Sequence, residues 1–89
     1  MFLHLGNGVS VRTKDIIAIY DYMGFFIKDI PENQHYLQRC QKEGRVVRTD
    51  ESNELIKSII VTRDKVYLSV LSSTALKKRA EMIYDTGND

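Results

Sequence analysis

The sequence predicts a single small α+β domain over residues 1–89, with an antiparallel or mixed sheet and two helices. Short runs of β-branched and aromatic residues recur along the chain, and Gly, Asn and Asp separate them as they do between strands. Two other segments have the end residues and the composition of helices. Because 89 residues bury only a modest core, we also expect the domain to self-associate.

The first part of the chain predicts a hairpin, a covered strand and a loop. Residues 2–5 and 9–12 are β-like, and the Gly-Asn-Gly between them tolerates the positive φ angles of a hairpin turn. Residues 16–20, Ile-Ile-Ala-Ile-Tyr, are apolar on both faces, which is typical of a strand that is buried on both sides. Residues 21–31 then predict a loop with more apolar side chains than a solvated loop usually displays.

The middle of the chain predicts the first helix. Residues 32–43 lack Gly and Pro, are rich in Gln, Glu, Lys and Arg, and lie between Pro31 and Gly44. The apolar stripe of this segment is thin, so the helix is expected on a surface. A short strand, 45–49, follows.

The last part of the chain predicts a second hairpin and a second helix. Residues 57–62 and 65–70 are β-like and are linked by a turn at Arg63-Asp64. Ser72 or Ser73 is expected to cap a helix that ends near residue 84. The remaining segments are expected to be a polar turn and a frayed tail, 50–54 and 86–89.

Composition limits the function classes. Thirteen Lys and Arg against twelve Asp and Glu give a net charge of +1, so a nucleic-acid site must be a local patch. One cysteine rules out an intrachain disulfide and is typical of a reducing compartment. The start of the chain lacks the features of a signal peptide, and no apolar run approaches the roughly 18 residues of a membrane helix. A small cytoplasmic domain is expected.

Few residues offer chemistry. His35 and Cys40 are five residues apart on the predicted middle helix, so they point in different directions and make a poor metal-ligand pair. The acidic residues form no motif, and Gly6-Asn7-Gly8 lacks the third glycine and the following helix of a phosphate-binding loop. We therefore expect no enzymatic activity, metal or cofactor.

Basic residues follow hydroxyl residues in the stretch Leu-Ser-Ser-Thr-Ala-Leu-Lys-Lys-Arg-Ala, residues 71–80. At helical spacing Leu76 and Ala80 share one face, while Lys77 points to one side and Lys78 points away. Solvated surface is the commoner interpretation of such charges. However, free N–H groups at a helix start with lysines one turn later also resemble an anion site. Both interpretations stay open from the residues alone.

A second set of basic residues is spread along the predicted strands and turns. Asp and Glu residues interleave with most of them, and the sequence does not decide whether the positive ones gather on one side. If they gather, phosphate contact is expected; if they do not, they serve solubility. The set comprises Arg12, Lys14, Arg45, Arg48, Lys57, Arg63 and Lys65.

Four stretches, in order, carry a resemblance to a known family: MFLHLG at the start, RTKDIIAIYD at 12–21, IKSIIVT at 56–62 and VYLSVLSSTALKKRA at 66–80. With them the sequence resembles the RemA/RemB family of bacterial extracellular-matrix regulators, and is more similar to the RemB branch. The resemblance implies a regulator that binds promoter DNA and promotes matrix (biofilm) gene expression. It also implies a fold similar to the LytTR DNA-binding domain, and assembly into rings around which DNA can wrap.

The resemblance also suggests which residues contact DNA. In the RemA branch, arginines lie just before the Ile-x-Ile strand and in a paired-Arg turn before the next long strand. Lys14 is the nearest basic match to the first position, one residue out of register, with Arg12 close by. At the second position Glu54-Leu55 replaces the arginine pair, and Lys57 keeps a positive charge. Loss of the bidentate donors predicts weaker binding than in relatives with paired arginines.

Two hypotheses of different class follow. In the first, an oligomeric regulator contacts double-stranded DNA weakly and with salt sensitivity. Its expected contacts are Arg12, Lys14 and Lys57, with Lys77 and Lys78 as secondary contributors. In the alternative, an oligomer regulates through a protein partner. Phe25 and Phe26 are the expected oligomer contacts, unless they fold back onto the domain's own core.

Overall fold

The computed structural model describes residues 1–27, 31–50 and 55–85, and this part of the chain forms six strands, three α-helices and one turn of 3-10 helix at Thr13–Asp15. The α+β class is confirmed. The strands are β1 (Phe2–Gly6), β2 (Val9–Arg12), β3 (Ile16–Asp21), β4 (Val46–Arg48), β5 (Ser58–Thr62) and β6 (Val66–Ser69). The helices are α1 (Tyr22–Ile27), α2 (Pro31–Lys42) and α3 (Ser73–Asp85).

The first hairpin forms as its turn residues predict. β1 and β2 pair antiparallel in a two-stranded sheet, with Leu3 opposite Val11. The turn places Asn7 at a φ of 53° between Gly6 at 107° and Gly8 at 80°. Most residues that have a Cβ rarely adopt positive φ angles, whereas Gly adopts them readily and Asn tolerates them. The Gly-Asn-Gly sequence therefore fixes this turn.

The main sheet has four strands in the order β3-β5-β6-β4. β5 pairs antiparallel with both neighbours, while β4 pairs parallel to β6. The sheet is therefore mixed, as predicted. The second hairpin, around Arg63-Asp64, is confirmed as the β5–β6 pair. The similarity to the LytTR fold stays a prediction.

Hydrophobic clusters cover both faces of this sheet. Successive residues of a strand point to opposite faces, so Ile59 packs into one cluster and Ile60 into the other. Residues from α1, α2, β5, β6 and the segment before β5 form the first: Phe25, Leu37, Cys40, Ile56, Ile59, Val66 and Leu68. The hairpin, β5 and α3 form the second: Leu3, Leu5, Val11, Ile60 and Leu76. The sheet thus lies between two helices on one side and the hairpin with α3 on the other.

Two predictions about the segment around β3 were wrong. Residues 22–27 form α1 rather than a loop, since a carboxylate oxygen of Asp21 accepts a hydrogen bond from the Gly24 N–H at 3.0 Å and caps the helix. β3 is a strand, but none of its residues is buried, because it lies at an edge of the sheet. The predictions for 28–30, 51–54 and the tail at 86–89 fall outside the described residues.

Candidate nucleic-acid interface

Antiparallel pairing of β3 with β5 brings two basic segments together at one end of the sheet. Ile16 lies opposite Thr62, so the chain just before β3 lies beside the β5–β6 turn. The Arg63 N–H donates a hydrogen bond to the carbonyl oxygen of Asp15, with 3.2 Å between N and O, and fixes this approach. We call the four basic residues of these segments the turn cluster: Arg12, Lys14, Arg63 and Lys65.

Three members of the turn cluster have their charge available. Arg12 Nε lies 3.2 Å from Asp15 Oδ2, an exposed ion pair of the kind that contributes little to stability. The side chains of Lys14, Arg63 and Lys65 are exposed and make no hydrogen bond or ion pair within the described residues. The carboxylates of Asp15 and Asp64 reduce the positive charge of this region without cancelling it.

A shallow cavity of about 280 Å³ separates the hairpin from the β5–β6 turn. Two members of the turn cluster, Arg12 and Lys65, line it together with both carboxylates. Phe2 and Tyr67 also line it, and Phe2 is largely exposed. This end of the molecule therefore offers cations that can pair with phosphate oxygens, beside an aromatic surface.

Lys57 lies away from the turn cluster. It immediately precedes β5, where its carbonyl oxygen accepts the Tyr22 N–H at 2.9 Å and its own N–H donates to Ser69 O at 2.8 Å. These bonds place it at the end of the sheet where Asp21 pairs with Ser58. Five strand steps, about 17 Å, separate the two ends. The positive charges of Lys14 and Lys57 therefore lie at opposite ends of the sheet within one subunit.

The start of α3 is capped by its own hydroxyl group. Ser72 Oγ accepts the Ala75 N–H at 3.1 Å, so Ser72 is the cap that the sequence left undecided between two serines. The Lys77 and Lys78 side chains are exposed and line a shallow recess with Thr74 and Glu81. Neither lysine has an internal partner among the described residues.

Arg79 points elsewhere: its Nη1 lies 3.4 Å from the carbonyl oxygen of His4 in the hairpin. The three consecutive cations of α3 therefore do not form one patch, as helical spacing predicted. The recess of the two lysines shares no lining residue with the cavity beside the turn cluster.

Phe25, which we expected at an oligomer contact, is buried with 6% of its surface exposed. Because 22–27 is helical, its ring turns into the first hydrophobic cluster and contacts the ring of Tyr20, with 5.5 Å between centroids. It is a core residue, the alternative that the sequence left open. The Phe26 side chain lies outside the described part. Large exposed hydrophobic residues lie elsewhere: Met1, Phe2, Ile17, Tyr20, Met23 and Leu55.

The one cysteine of the chain lies in the hydrophobic core. Cys40 is fully buried, and its Sγ accepts a hydrogen bond from Arg45 Nη2 at 3.2 Å. Burial raises the pKa of the neighbouring Tyr36 hydroxyl, and a hydrogen bond with Cys40 raises it further. His35 is exposed, so it does not face the buried thiol. Within the described residues, His, Cys, Asp and Glu form no group of three that could hold a metal ion.

Arg45 and Arg48 differ from the turn cluster in their contacts. Arg45 pairs with Glu43 at 3.4 Å as well as with the thiol, and Arg48 Nε lies 3.4 Å from the carbonyl oxygen of Asp50. Both are on or beside β4, at the opposite edge of the sheet from β3. The basic residues of the strands therefore do not gather on one side.

Comparison with known proteins identifies similar sequences along nearly the whole chain. The family model for RemA-like proteins, described as extracellular matrix regulatory protein A-like, matches residues 2–80. Extracellular matrix regulatory protein B of Bacillus subtilis (strain 168) is 35% identical over 85 residues, which cover 96% of each chain. The matched region includes the turn cluster, Lys57 and the lysines of α3. No helix in the described ranges is long and apolar enough to cross a membrane.

Proposed function

This chain belongs to the RemA-like family of extracellular matrix regulatory proteins, and from that premise we propose that it regulates matrix (biofilm) genes as an oligomer that binds promoter DNA. The relative from Bacillus subtilis carries a regulatory name of the same kind and aligns with almost the entire chain. Family membership supports the regulatory role, and the distribution of charge supports DNA as the partner.

The turn cluster is the observation that carries this proposal. Lys14, Arg63 and Lys65 present exposed cations with which no described residue forms an ion pair. Lys and Arg side chains of this kind pair with the phosphates of DNA and release counterions. Such contacts position a protein on the duplex without reading its sequence. Arg12 adds a fourth cation when phosphate competes with Asp15 for its guanidinium group.

The other exposed lysines extend the proposed contact with DNA. Lys57, at the other end of β5, reaches a phosphate independently of the turn cluster, and Lys77 with Lys78 form a third, secondary site. Glu54-Leu55 takes the place of the arginine pair that the resemblance to the RemA branch implies, so we expect a lower affinity than that of relatives with paired arginines.

Weak contacts of this kind require repetition. A net charge of +1 gives one subunit no general attraction for DNA, and each subunit offers only a few phosphate contacts. An oligomer that repeats the turn cluster along one duplex gains through effective concentration, because each further contact becomes intramolecular. Self-association and DNA binding are therefore proposed together.

A salt titration tests the function. Labelled promoter DNA is titrated with the protein at several salt concentrations, and log K is plotted against log salt. A steep negative slope is expected, together with similar affinity for unrelated duplexes. Absence of binding at low salt would refute the proposal.

Exposed apolar side chains favour one second candidate, regulation through a protein partner. Met23 and Leu55 have 56% and 70% of their surface exposed. A contact through such groups would respond little to salt, so the same titration distinguishes the two functions.

A further inference from the structure

β3 is apolar but only partly covered, since Ile16 and Ile19 pack against the second hydrophobic cluster while other residues of the strand stay exposed. Its sequence, Ile-Ile-Ala-Ile-Tyr-Asp, has the composition of a strand buried on both faces, yet Ile17 is 64% exposed and Tyr20 is 46% exposed. In the adjacent strand β5, four of the five residues are buried. A second surface that covers β3 would resolve the difference between its composition and its exposure.

The main sheet has two open edges. β3 ends it on one side and β4 on the other, and in the described residues no further strand pairs with either. Every second residue of an edge strand directs its N–H and C=O away from the sheet, ready to bond another strand. Natural proteins usually protect such an edge with Lys or Pro, and β3 contains neither.

The directions of the strands make the two edges compatible. β5 is antiparallel to both β3 and β6, and β4 is parallel to β6, so β3 and β4 run in the same direction. If a second copy continues the sheet in the same orientation, its β3 lies parallel to β4 of the first. The C-terminal ends of the two strands then lie side by side.

Opposite charges occupy these C-terminal ends. β3 ends at Asp21 and β4 ends at Arg48, and both residues are exposed. Asp21 Oδ2 accepts the Gly24 N–H that caps α1, which leaves Oδ1 for a further partner. In a parallel pair this oxygen lies near the guanidinium group of Arg48 from the other copy. Val46 and Val47 of β4 are half-buried β-branched residues, suited to pack beside Ile17.

We propose that copies of this chain join edge to edge, β4 of one copy pairing in parallel with β3 of the next, with Arg48 beside Asp21 of the neighbouring copy. The inference rests on the oligomeric part of the proposed function and specifies its interface. Such a contact is heterologous, so it closes into a ring if the rotation between copies allows it. It also places the turn cluster of every copy at the same rim, which creates the repeated phosphate contacts that DNA binding needs.

Two blocking variants test the pairing. Ile17→Lys places a charge on the β3 edge, and Arg48→Asp opposes Asp21 at the β4 edge; both positions are exposed, so the fold is expected to survive. Light scattering at tens of micromolar is expected to give a mass well above 10.3 kDa for wild type and a lower mass for each variant. Phe2→Lys, at a similarly exposed position outside the main sheet, is the control and should assemble like wild type.

Mixing the two variants distinguishes a heterologous contact from a symmetric one. Ile17→Lys keeps an intact β4 edge and Arg48→Asp keeps an intact β3 edge. An equimolar mixture should therefore form a two-chain species that neither variant forms alone at the same concentration. Lack of that species, with both variants monomeric, would overturn β4-to-β3 pairing.

Disulfide trapping provides a second measurement that does not depend on the blocking variants. Within one chain the two edges are three strand spacings apart, about 14 Å, too far for an intrachain disulfide. A chain carrying both Asp21→Cys and Arg48→Cys should give a ladder of linked copies on oxidation, and neither single variant should. Because Asp21→Cys also removes the cap of α1, its circular dichroism is first compared with that of wild type. Linked pairs of Asp21→Cys alone would indicate a symmetric β3 contact and overturn the proposal.

The outcomes separate the interface from the function. If wild type assembles and both blocking variants keep its mass, the edge pairing is wrong, whereas the proposed function stands. If wild type is monomeric, the interface and the oligomeric part of the function both fail. DNA binding is then still measured by its own salt titration.

Discussion

The backbone N–H of Arg63 donates a hydrogen bond to the carbonyl oxygen of Asp15, with 3.2 Å between the two atoms. This bond joins the β5–β6 turn to the segment before β3. It therefore brings Lys65 to the same end of the sheet as Lys14, although 51 positions separate them in the sequence. The proposed phosphate contacts depend on this approach, and the first two predictions concern its side chains.

Asp15→Asn should strengthen DNA binding a few-fold. The substitution removes a negative charge that lies 3.2 Å from Arg12 Nε, and it leaves the backbone carbonyl that holds Arg63 in place. Competition titrations at low salt measure the change. Glu32→Gln, an equal change of charge on α2, is the control and should have little effect. Weaker binding by Asp15→Asn would argue that the carboxylate itself organises the site.

A chain with both Arg63→Ala and Lys65→Ala should bind DNA more weakly, and the loss of affinity should be similar for duplexes of unrelated sequence. Two phosphate contacts are lost, so the slope of log K against log salt should fall by about two. Lys42→Ala, which removes an exposed cation from the end of α2, should change neither quantity appreciably. Equal effects of the double variant and the control would show that general charge, rather than the turn cluster, attracts the DNA.

Phe25→Ala should destabilise the fold by about 3–5 kcal/mol, because it removes a buried aromatic side chain and leaves a cavity beside Tyr20. Urea unfolding followed by circular dichroism measures this loss. Met23→Ala, on the same short helix but 56% exposed, should change the free energy of unfolding by about 0.5 kcal/mol or less. Similar stability of the two variants would contradict the inward position of Phe25.

Ser72→Ala should reduce stability by about 1 kcal/mol, since the Ala75 N–H then loses the hydroxyl oxygen that caps α3. Thr74→Ala, inside the first turn and exposed, is the matched loss of a hydroxyl group and should be neutral or slightly stabilising. If the Ser72 variant unfolds at the same urea concentration as wild type, the cap contributes nothing.

Local sequence signals were sufficient for the turns and the longer helices. Asn7 between two glycines predicted the first hairpin, and Pro31 with Gly44 delimited α2 to within about a turn. Ser72 was one of two candidate caps, and the structure distinguishes them. In each case the decisive residues are neighbours in the sequence, and so their pattern can be recognised without knowledge of the fold.

Features that depend on distant residues could not be predicted. The apolar run of β3 indicated a covered strand, but no local pattern reveals that β3 lies at an edge and, among the described strands, pairs with β5 alone. The same pairing brings Arg63 and Lys65 close to Lys14. Because the pairing is not visible in the sequence, the sequence could place Arg63 and Lys65 only among several scattered basic residues. Asp21 offered a cap for α1, but six residues are too few for a helical period to be recognised.

The candidate site was predicted in part. Lys14 and Lys57 were grouped because each is the basic residue nearest to a DNA-contact position that the resemblance implies. The structure places them at opposite ends of the β3–β5 pair. Spacing along the chain contains no information about which ends of two strands meet. A prediction of the antiparallel register would have separated Lys57 from the turn cluster and added Arg63 to it.

The measurement that tests the account most directly is the salt dependence of binding to double-stranded DNA by wild type and by a chain with both Lys14→Ala and Lys57→Ala. We expect wild type to bind labelled promoter DNA at low salt, with log K falling steeply as log salt rises. The double variant should bind more weakly to every duplex, with a slope lower by about one unit per lost contact and an unchanged oligomer mass. No wild-type binding at low salt, or equal binding by the double variant, would contradict phosphate contact by these lysines.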